Sequence, residues 1–270
     1  MALGSAGYVS IVELIIYLPC LVLAILVCIR HGWRRSGGWL YTFILCLVRI
    51  IGAICQLVTY TSPSKELYQT VFTIDSIGLS PLLLATMGII NRMLDVVSSQ
   101  GRTLFPRKVL RSVNILIIVS LIVGITGGST TTPSPDGSTQ PSAAAKVGSI
   151  LYIVAFGFLT FIFARSISSW GLLPGPERRV PFAVAIAWPF ILVRLLYSIF
   201  VVIINDSHFS VVNGSVAVRA AMSVAEEMIV VMVYLALALT LPKFEPPKVE
   251  EEELSSRIEE PRPRRQRGYQ

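Results

Sequence analysis

Six ionisable side chains lie inside stretches of this chain that are otherwise apolar enough to span a bilayer. They are Arg49 and Arg194 and the carboxylic acids Glu13, Asp75, Glu226 and Glu227. A charge left alone in hydrocarbon is costly, so such residues face a bundle interior, pair with one another and mark substrate or proton sites. Burial favours the neutral form of a carboxyl, whereas a neighbouring guanidinium favours the carboxylate. Two acids around one arginine can therefore divide into a protonated acid and an ionised one, the arrangement that general-acid chemistry uses.

Helical spacing gives these residues company. Arg49, Ala53 and Gln56 share a face, as do Arg194, Tyr197 and Ser198, and so do Ser223, Glu227 and Tyr234. Glu226 is turned about 100° from Glu227, so one of the two at most faces a common cavity squarely. Glu227, Asp75 and Glu226 are the candidate catalytic acids. Arg49, Arg194, Gln56, Trp188, Tyr197 and Tyr234 are the candidate substrate-binding residues. The competing reading is structural: the arginines pair with carboxylates to fix helix register, and Glu13 reaches the outer headgroups.

The elements that must position these groups are helices. The chain has 270 residues, 53% hydrophobic and 14% charged, too apolar for a soluble domain of this size. A span needs about 20 mostly apolar residues. Seven segments qualify, at 8–30, 39–61, 70–95, 109–127, 147–169, 182–204 and 220–242. The expected fold is an all-α, polytopic seven-helix bundle over residues 1–242, followed by a disordered cytoplasmic tail over 243–270.

The net charge of +7 is topological and does not point to nucleic acid. Arg30, Arg34 and Arg35 follow the first span, Arg92, Arg102, Arg107, Lys108 and Arg111 surround the third loop, and Arg165, Arg178 and Arg179 flank the fifth. The N-terminus and the even-numbered loops hold only Lys65, Lys146 and Arg219. The positive-inside rule then puts the N-terminus outside and the C-terminus in the cytoplasm. Both glycosylation sequons, at Asn205 and Asn213, fall in the sixth loop, on the outside by this topology. The first apolar run lacks a basic n-region, is interrupted by Glu13 and is followed by Arg30, so it reads as a retained span.

Polar segments are few. Residues 127–145 are rich in Gly, Ser, Thr and Pro and read as an outside connector, and the tail carries an acidic run at Glu250–Glu253 and a basic end from Pro261 to Arg267. Pro19, Pro81 and Pro189 lie within spans, where each can kink its helix. Trp33, Trp39 and Trp170 fall at the cytoplasmic boundary, as an aromatic belt requires. Cys20, Cys28, Cys46 and Cys55 all lie in the first two spans and read as small apolar packing residues rather than a disulfide or metal framework.

No phosphate loop, Gly-x-Ser-x-Gly elbow, His-Glu-x-x-His or paired Asp-rich magnesium motif is present, and no cofactor is implied. Three functions remain. An intramembrane acid catalyst could cyclise an isoprenoid chain, which needs a proton donor, an apolar mould and π-faces near the developing cation. A transporter or exporter of a lipid or lipophilic metabolite would use the same charges as a relay, and would need a second access route, for which Asn91 and Arg92 are the hint. A seven-span receptor-like sensor matches the topology alone.

At His31, Gly32 and Trp33, at Arg49 to Gly52, and at Gly78 to Gly88 with Ser80 and Pro81, the chain resembles a fungal family of small seven-span proteins, most of them uncharacterised. The resemblance covers most of residues 8–242 and extends to membrane-bound terpene cyclases of meroterpenoid pathways. It implies cyclisation of a farnesyl chain, or its terminal epoxide, attached to an aromatic or cyclohexenone head. No catalytic motif carries over residue by residue, so the site residues rest on the depth and spacing arguments. The combined expectation is a multi-pass protein of the endoplasmic reticulum or another endomembrane, with the bilayer and a lipophilic small molecule as its partners. In it, Glu227 or Asp75 donates the proton, and Arg49 and Arg194 hold a counter-carboxylate or the polar head of the substrate.

Overall fold

Each apolar run folds as a helix whose two sides differ in a way that suits lipid. On α1 (Ser5–His31) the large side chains Val12, Ile15, Val22, Leu26 and Ile29 point outward, while Ser10, Glu13, Tyr17, Cys20, Ala24 and Val27 are buried. Small and polar groups inside, large apolar groups outside, is the pattern of helices that pack within a membrane. The computed structural model describes residues 4–32, 37–62, 64–130, 132–133, 139–140, 142–204 and 220–242. Among them, seven helices are long and apolar enough to cross a membrane.

After α1 come α2 (Gly37–Val58), α3 (Lys65–Ile77), α4 (Leu79–Ser99), α5 (Arg107–Ser129), α6 (Ala143–Ile167), α7 (Arg179–Ile199) and α8 (Glu226–Thr240). Helices α3 and α4 form a single span, Gln69–Ser99, interrupted at Gly78. Pro81 explains the break: it has no N–H to offer the carbonyl of Ile77 one turn back. Ser64 caps the start of α3 by accepting a hydrogen bond from the Leu67 N–H at 3.2 Å. Single π-turns follow α7 (Phe200–Ile204) and precede α8 (Ala220–Ala225), a local geometry frequent at functional sites.

The helices form a ring in which the span that contains α4 is the most buried member. Helix α1 packs on α2, α2 on α4, α4 on α7, α7 on α8, and α8 closes back onto α1. The α5–α6 hairpin packs outside, against α3 and α4. Buried residues run almost the length of α4, from Leu79 to Val97. Gly38 lets α2 approach it, since a Cβ there would lie 3.0 Å from the Ile89 nitrogen and 3.1 Å from the Ala85 oxygen.

Several expectations change. The connector expected over 127–145 is shorter, because α5 continues to Ser129 and α6 starts at Ala143. Ser142 accepts from the Ala145 N–H and donates to the Gly127 carbonyl at 2.9 Å, closing the hairpin. A two-residue strand pair, Thr132–Pro133 against Thr139–Gln140, lies between. Trp39 does not join an interfacial belt. It is buried, with its ring 6.0 Å from that of His31, because it faces into the bundle at the start of α2. Trp170 packs edge-on against Phe182 at 4.5 Å. Cys20, Cys28 and Cys46 are buried among apolar neighbours of the bundle. Trp33, both sequons and the tail after Pro242 lie outside the described residues.

Candidate functional site

The charged residues of five different segments converge on one buried cage. Arg49, on α2, donates from Nε to Glu227 Oε2 at 2.5 Å and from Nη1 to Asp75 Oδ1 at 2.9 Å. Arg194, on α7, donates from Nε to the other Glu227 oxygen, Oε1, at 2.6 Å. Its Nη2 donates to the main-chain carbonyl of Asp75 at 2.8 Å. Glu13 Oε1, from α1, lies 3.9 Å from Arg49 Nη1, and Ser223 Oγ lies 3.5 Å from Asp75 Oδ1. Exposure is 0% for Glu227, 3% for Arg194, 4% for Arg49 and Glu13, and 6% for Asp75, so these charges stabilise one another rather than water.

Local structure explains how each arrives. Glu227 sits in the first turn of α8, where the positive end of the helix dipole suits an anion. Asp75 lies one turn before the Gly78 interruption. Gly78 itself is the floor of the cage: a Cβ there would lie 3.0 Å from Arg49 Nη2 and 3.0 and 3.2 Å from the two Glu227 oxygens. Tyr17, one turn below Glu13 on α1, is fully buried within electrostatic reach of Glu227, Arg49 and Glu13. Tyr197 is buried with the Arg194 guanidinium carbon 5.7 Å from its ring centre.

The candidates chosen from sequence divide in two. Arg49, Arg194, Asp75, Glu227 and Tyr197 come together, and Glu13 joins them instead of reaching outward. Glu226 stands beside the cage, half-buried; its Oε2 is buried and has no hydrogen-bond partner among the described residues. The remaining three have other partners. Gln56 donates to Thr59 Oγ1 at 3.3 Å on its own helix. Tyr234 pairs with Thr86 at 2.8 Å, and because Thr86 donates to the Leu82 carbonyl, Tyr234 is the donor. Trp188 stacks against Phe156 and Phe163 at 5.0 and 5.1 Å. Asn205 and Asn213 lie outside the described residues. Gly78 entered the sequence reading only as the first residue of the Gly78–Gly88 segment, and Tyr17 was not singled out by charge or motif; it was findable only as the residue four after Glu13.

A second ionic contact lies at the opposite end of the bundle. Arg92 Nη2, near the end of α4, donates to Glu177 Oε1 at 2.7 Å and to the Pro242 carbonyl at 3.0 Å. Arg30 Nη1 donates to the Leu239 carbonyl at 3.2 Å. His31 is buried there, within electrostatic reach of both Arg92 and Glu177. The sequence pointed to Arg92 but not to its partner.

Chemically, the cage can hold charge and a proton in an apolar surrounding. Glu227 accepts guanidinium N–H groups on both oxygens, the bonding of a fixed carboxylate. Among the described residues, no three His, Cys, Asp or Glu side chains group so as to hold a metal ion; the acids here are interleaved with arginines. No curated protein matches the chain. The family model described as a domain of unknown function, DUF7702, matches residues 3–244, which takes in the whole bundle and its cage, and the chain belongs to that family.

Proposed function

We propose that the protein is a membrane-embedded cyclase that closes rings on a prenylated lipophilic substrate, a farnesyl or epoxyfarnesyl chain on a polar head, in meroterpenoid-type secondary metabolism. The observation that carries this reading is a buried cage of carboxyls and guanidiniums inside an otherwise apolar bundle. Such a cage supplies an acid in a place that excludes water, the two needs of a carbocation cyclisation. A proton passes from a carboxyl to the terminal alkene or epoxide oxygen. The π-electrons of the chain form the new carbon–carbon bonds, and the last cation returns a proton to a carboxylate. Atoms balance, so the product is an isomer of the substrate.

In this reading Glu227 is the counter-ion that keeps Arg49 and Arg194 in place, and the donor is Asp75 or Glu226. The Trp188–Phe156–Phe163 stack offers π-faces about 9 Å along α7 from Arg194. We orient the N-terminus outward and place the protein in an endomembrane, because Arg30, Arg92, Arg107, Arg165 and Arg178 gather at the end away from the cage. Endoglycosidase sensitivity of Asn205 or Asn213 checks that orientation.

Transport of a lipophilic metabolite is the second reading. It is favoured by the interruption of the third span beside the cage and by the polar contact around Arg92 at the other end. One experiment separates the two. Microsomes containing the protein are incubated with farnesylated phenols and their terminal epoxides, and products of unchanged mass but new retention time are sought by LC–MS. An isomer absent from control microsomes establishes the cyclase. Folded, inserted protein with no isomer across the panel moves the assignment to transport.

A further inference from the structure

Three of the buried tyrosines differ in what their hydroxyls meet. Tyr152 shares a hydrogen bond with Ser80 at 2.7 Å, and Tyr234 shares one with Thr86 at 2.8 Å. Tyr17 is 0% exposed, yet its hydroxyl has no hydrogen-bond partner among the described residues. A buried tyrosine hydroxyl ordinarily finds a partner, and leaving one open costs stability. The Tyr17 ring belongs to the apolar core, but that packing does not use the hydroxyl.

A second open donor belongs to the same cage. Arg49 donates from Nε to Glu227 and from Nη1 to Asp75, while Nη2 is buried with no hydrogen-bond partner among the described residues. A guanidinium nitrogen can only donate, so what completes it is an acceptor. Tyr17 and Arg49 lie within electrostatic reach of each other and of Glu227. An oxygen with two lone pairs and no proton of its own, a carbonyl, takes a hydrogen bond from each.

Glu227 decides between a neutral and an anionic acceptor. The place that a Gly78 Cβ would occupy is 3.0 Å from Arg49 Nη2 and 3.0 and 3.2 Å from the two Glu227 oxygens, so this nitrogen and that carboxylate lie side by side. A second anion brought to Nη2 would be repelled by Glu227, and more strongly in an apolar interior than in water. A ketone or quinone oxygen brings only a dipole. The bundle around the cage is apolar, so the remainder of such a ligand is hydrocarbon.

We propose that Tyr17 and Arg49 form a carbonyl site, at which a neutral ketone or quinone oxygen of a lipophilic ligand accepts from the Tyr17 hydroxyl and from Arg49 Nη2. The inference rests on the cage being the ligand site of the proposed function and names the group that it reads. It does not require ring closure.

Isothermal titration of the full chain in phosphatidylcholine nanodiscs tests it, with empty nanodiscs as the control for partitioning. The probes share a farnesyl skeleton and end in a methyl ketone, a hydrocarbon or, at pH 8, a carboxylate. The ketone should bind about tenfold more tightly than either of the others. Tyr17→Phe should weaken the ketone about five- to tenfold, leave the hydrocarbon unchanged and keep the melting temperature within about 2 °C of the wild type. Tyr152→Phe, which removes the Ser80 bond, should do the reverse: it should melt lower and bind the ketone as the wild type does. Equal binding of ketone and hydrocarbon, tighter binding of the carboxylate, or undiminished ketone binding in Tyr17→Phe overturns the site. A larger fall in melting temperature for Tyr17→Phe would show that the hydroxyl serves the fold, and would also sink it. Ketone binding with no isomer in the microsome assay would retire the cyclase and keep the site. An isomer in that assay, with ketone binding unimpaired in Tyr17→Phe, would do the opposite.

Discussion

The two ends of this bundle both join helices through arginine and carboxylate, but in different proportions and for different ends. At the Arg92 end, one guanidinium meets one carboxylate, Glu177, and also takes up the Pro242 carbonyl. The charges cancel and the donors find acceptors on neighbouring segments, so the contact acts as a strut between α4, the segment before α7 and the end of α8. At the cage, among the described residues, two guanidiniums are interleaved with three carboxyls, the buried Arg49 Nη2 has no hydrogen-bond partner, and a glycine is needed to make room. The cage lies about 25 Å from Arg92, taking the seventeen residues from Asp75 at helical rise. A balanced pair holds a structure together. A network with a buried donor left open can take up an acceptor from a ligand, which a closed pair cannot.

The largest effect that could break this contrast is at Glu227. Glu227→Gln leaves Arg49 and Arg194 buried against each other with their shared anion removed, and should cost about 3–5 kcal/mol of stability. Thermal unfolding of the detergent-solubilised protein, followed by tryptophan fluorescence, measures it. A variant as stable as wild type would show that the arginines have other compensation, and the cage would lose its centre. The two guanidinium contacts give Glu227 a part in stability, beside the proton-donor role that its place in the sequence suggests.

Gly78→Ala comes next and has a diagnostic sign. The backbone there is right-handed helical, φ −54° and ψ −30°, so alanine would ordinarily stabilise it by about 0.4–1 kcal/mol. Here its Cβ would crowd Arg49 Nη2 and both Glu227 oxygens, and a net loss of about 1–3 kcal/mol is expected. A gain in melting temperature would mean that the cage has slack.

At the other end, Glu177→Ala should cost about 1 kcal/mol. Arg92 is only partly buried and keeps its donation to the Pro242 carbonyl when Glu177 is removed. A double-mutant cycle between Arg92 and Glu177 should give a coupling several-fold below that between Arg49 and Glu227. Equal couplings would erase the distinction between strut and site.

The helices and the charged residues were legible because a charge in an apolar window is conspicuous on its own. Their pairing was not: Arg49 and Glu227 are 178 positions apart, and only the closure of α8 onto the ring brings them together. Spacing along a helix gives direction but not depth. That is why Gln56 and Tyr234, which share faces with Arg49 and Glu227, were grouped with them yet bond to Thr59 and Thr86 one or two turns away. Gly78 contributes by having no side chain, and nothing in its identity distinguishes it from other span glycines. Tyr17 was hidden because a tyrosine in an apolar run is unremarkable until its neighbours are known.

The smallest expected effect marks where the site stops. Gln56→Ala removes only a 3.3 Å bond to Thr59 Oγ1, and Thr59 keeps its own 2.6 Å donation to the Gln56 main-chain carbonyl. Stability should change by less than about 0.5 kcal/mol, and turnover in the microsome assay should stay within a factor of about two, by the same free-energy scale. Glu13 and Gln56 are both buried polar residues near one end of the bundle, but only Glu13 reaches an arginine of the cage. A tenfold loss of turnover in Gln56→Ala with unchanged stability would mean that the substrate extends past the cage toward the end of α2. The boundary between site and scaffold would then have to be redrawn there.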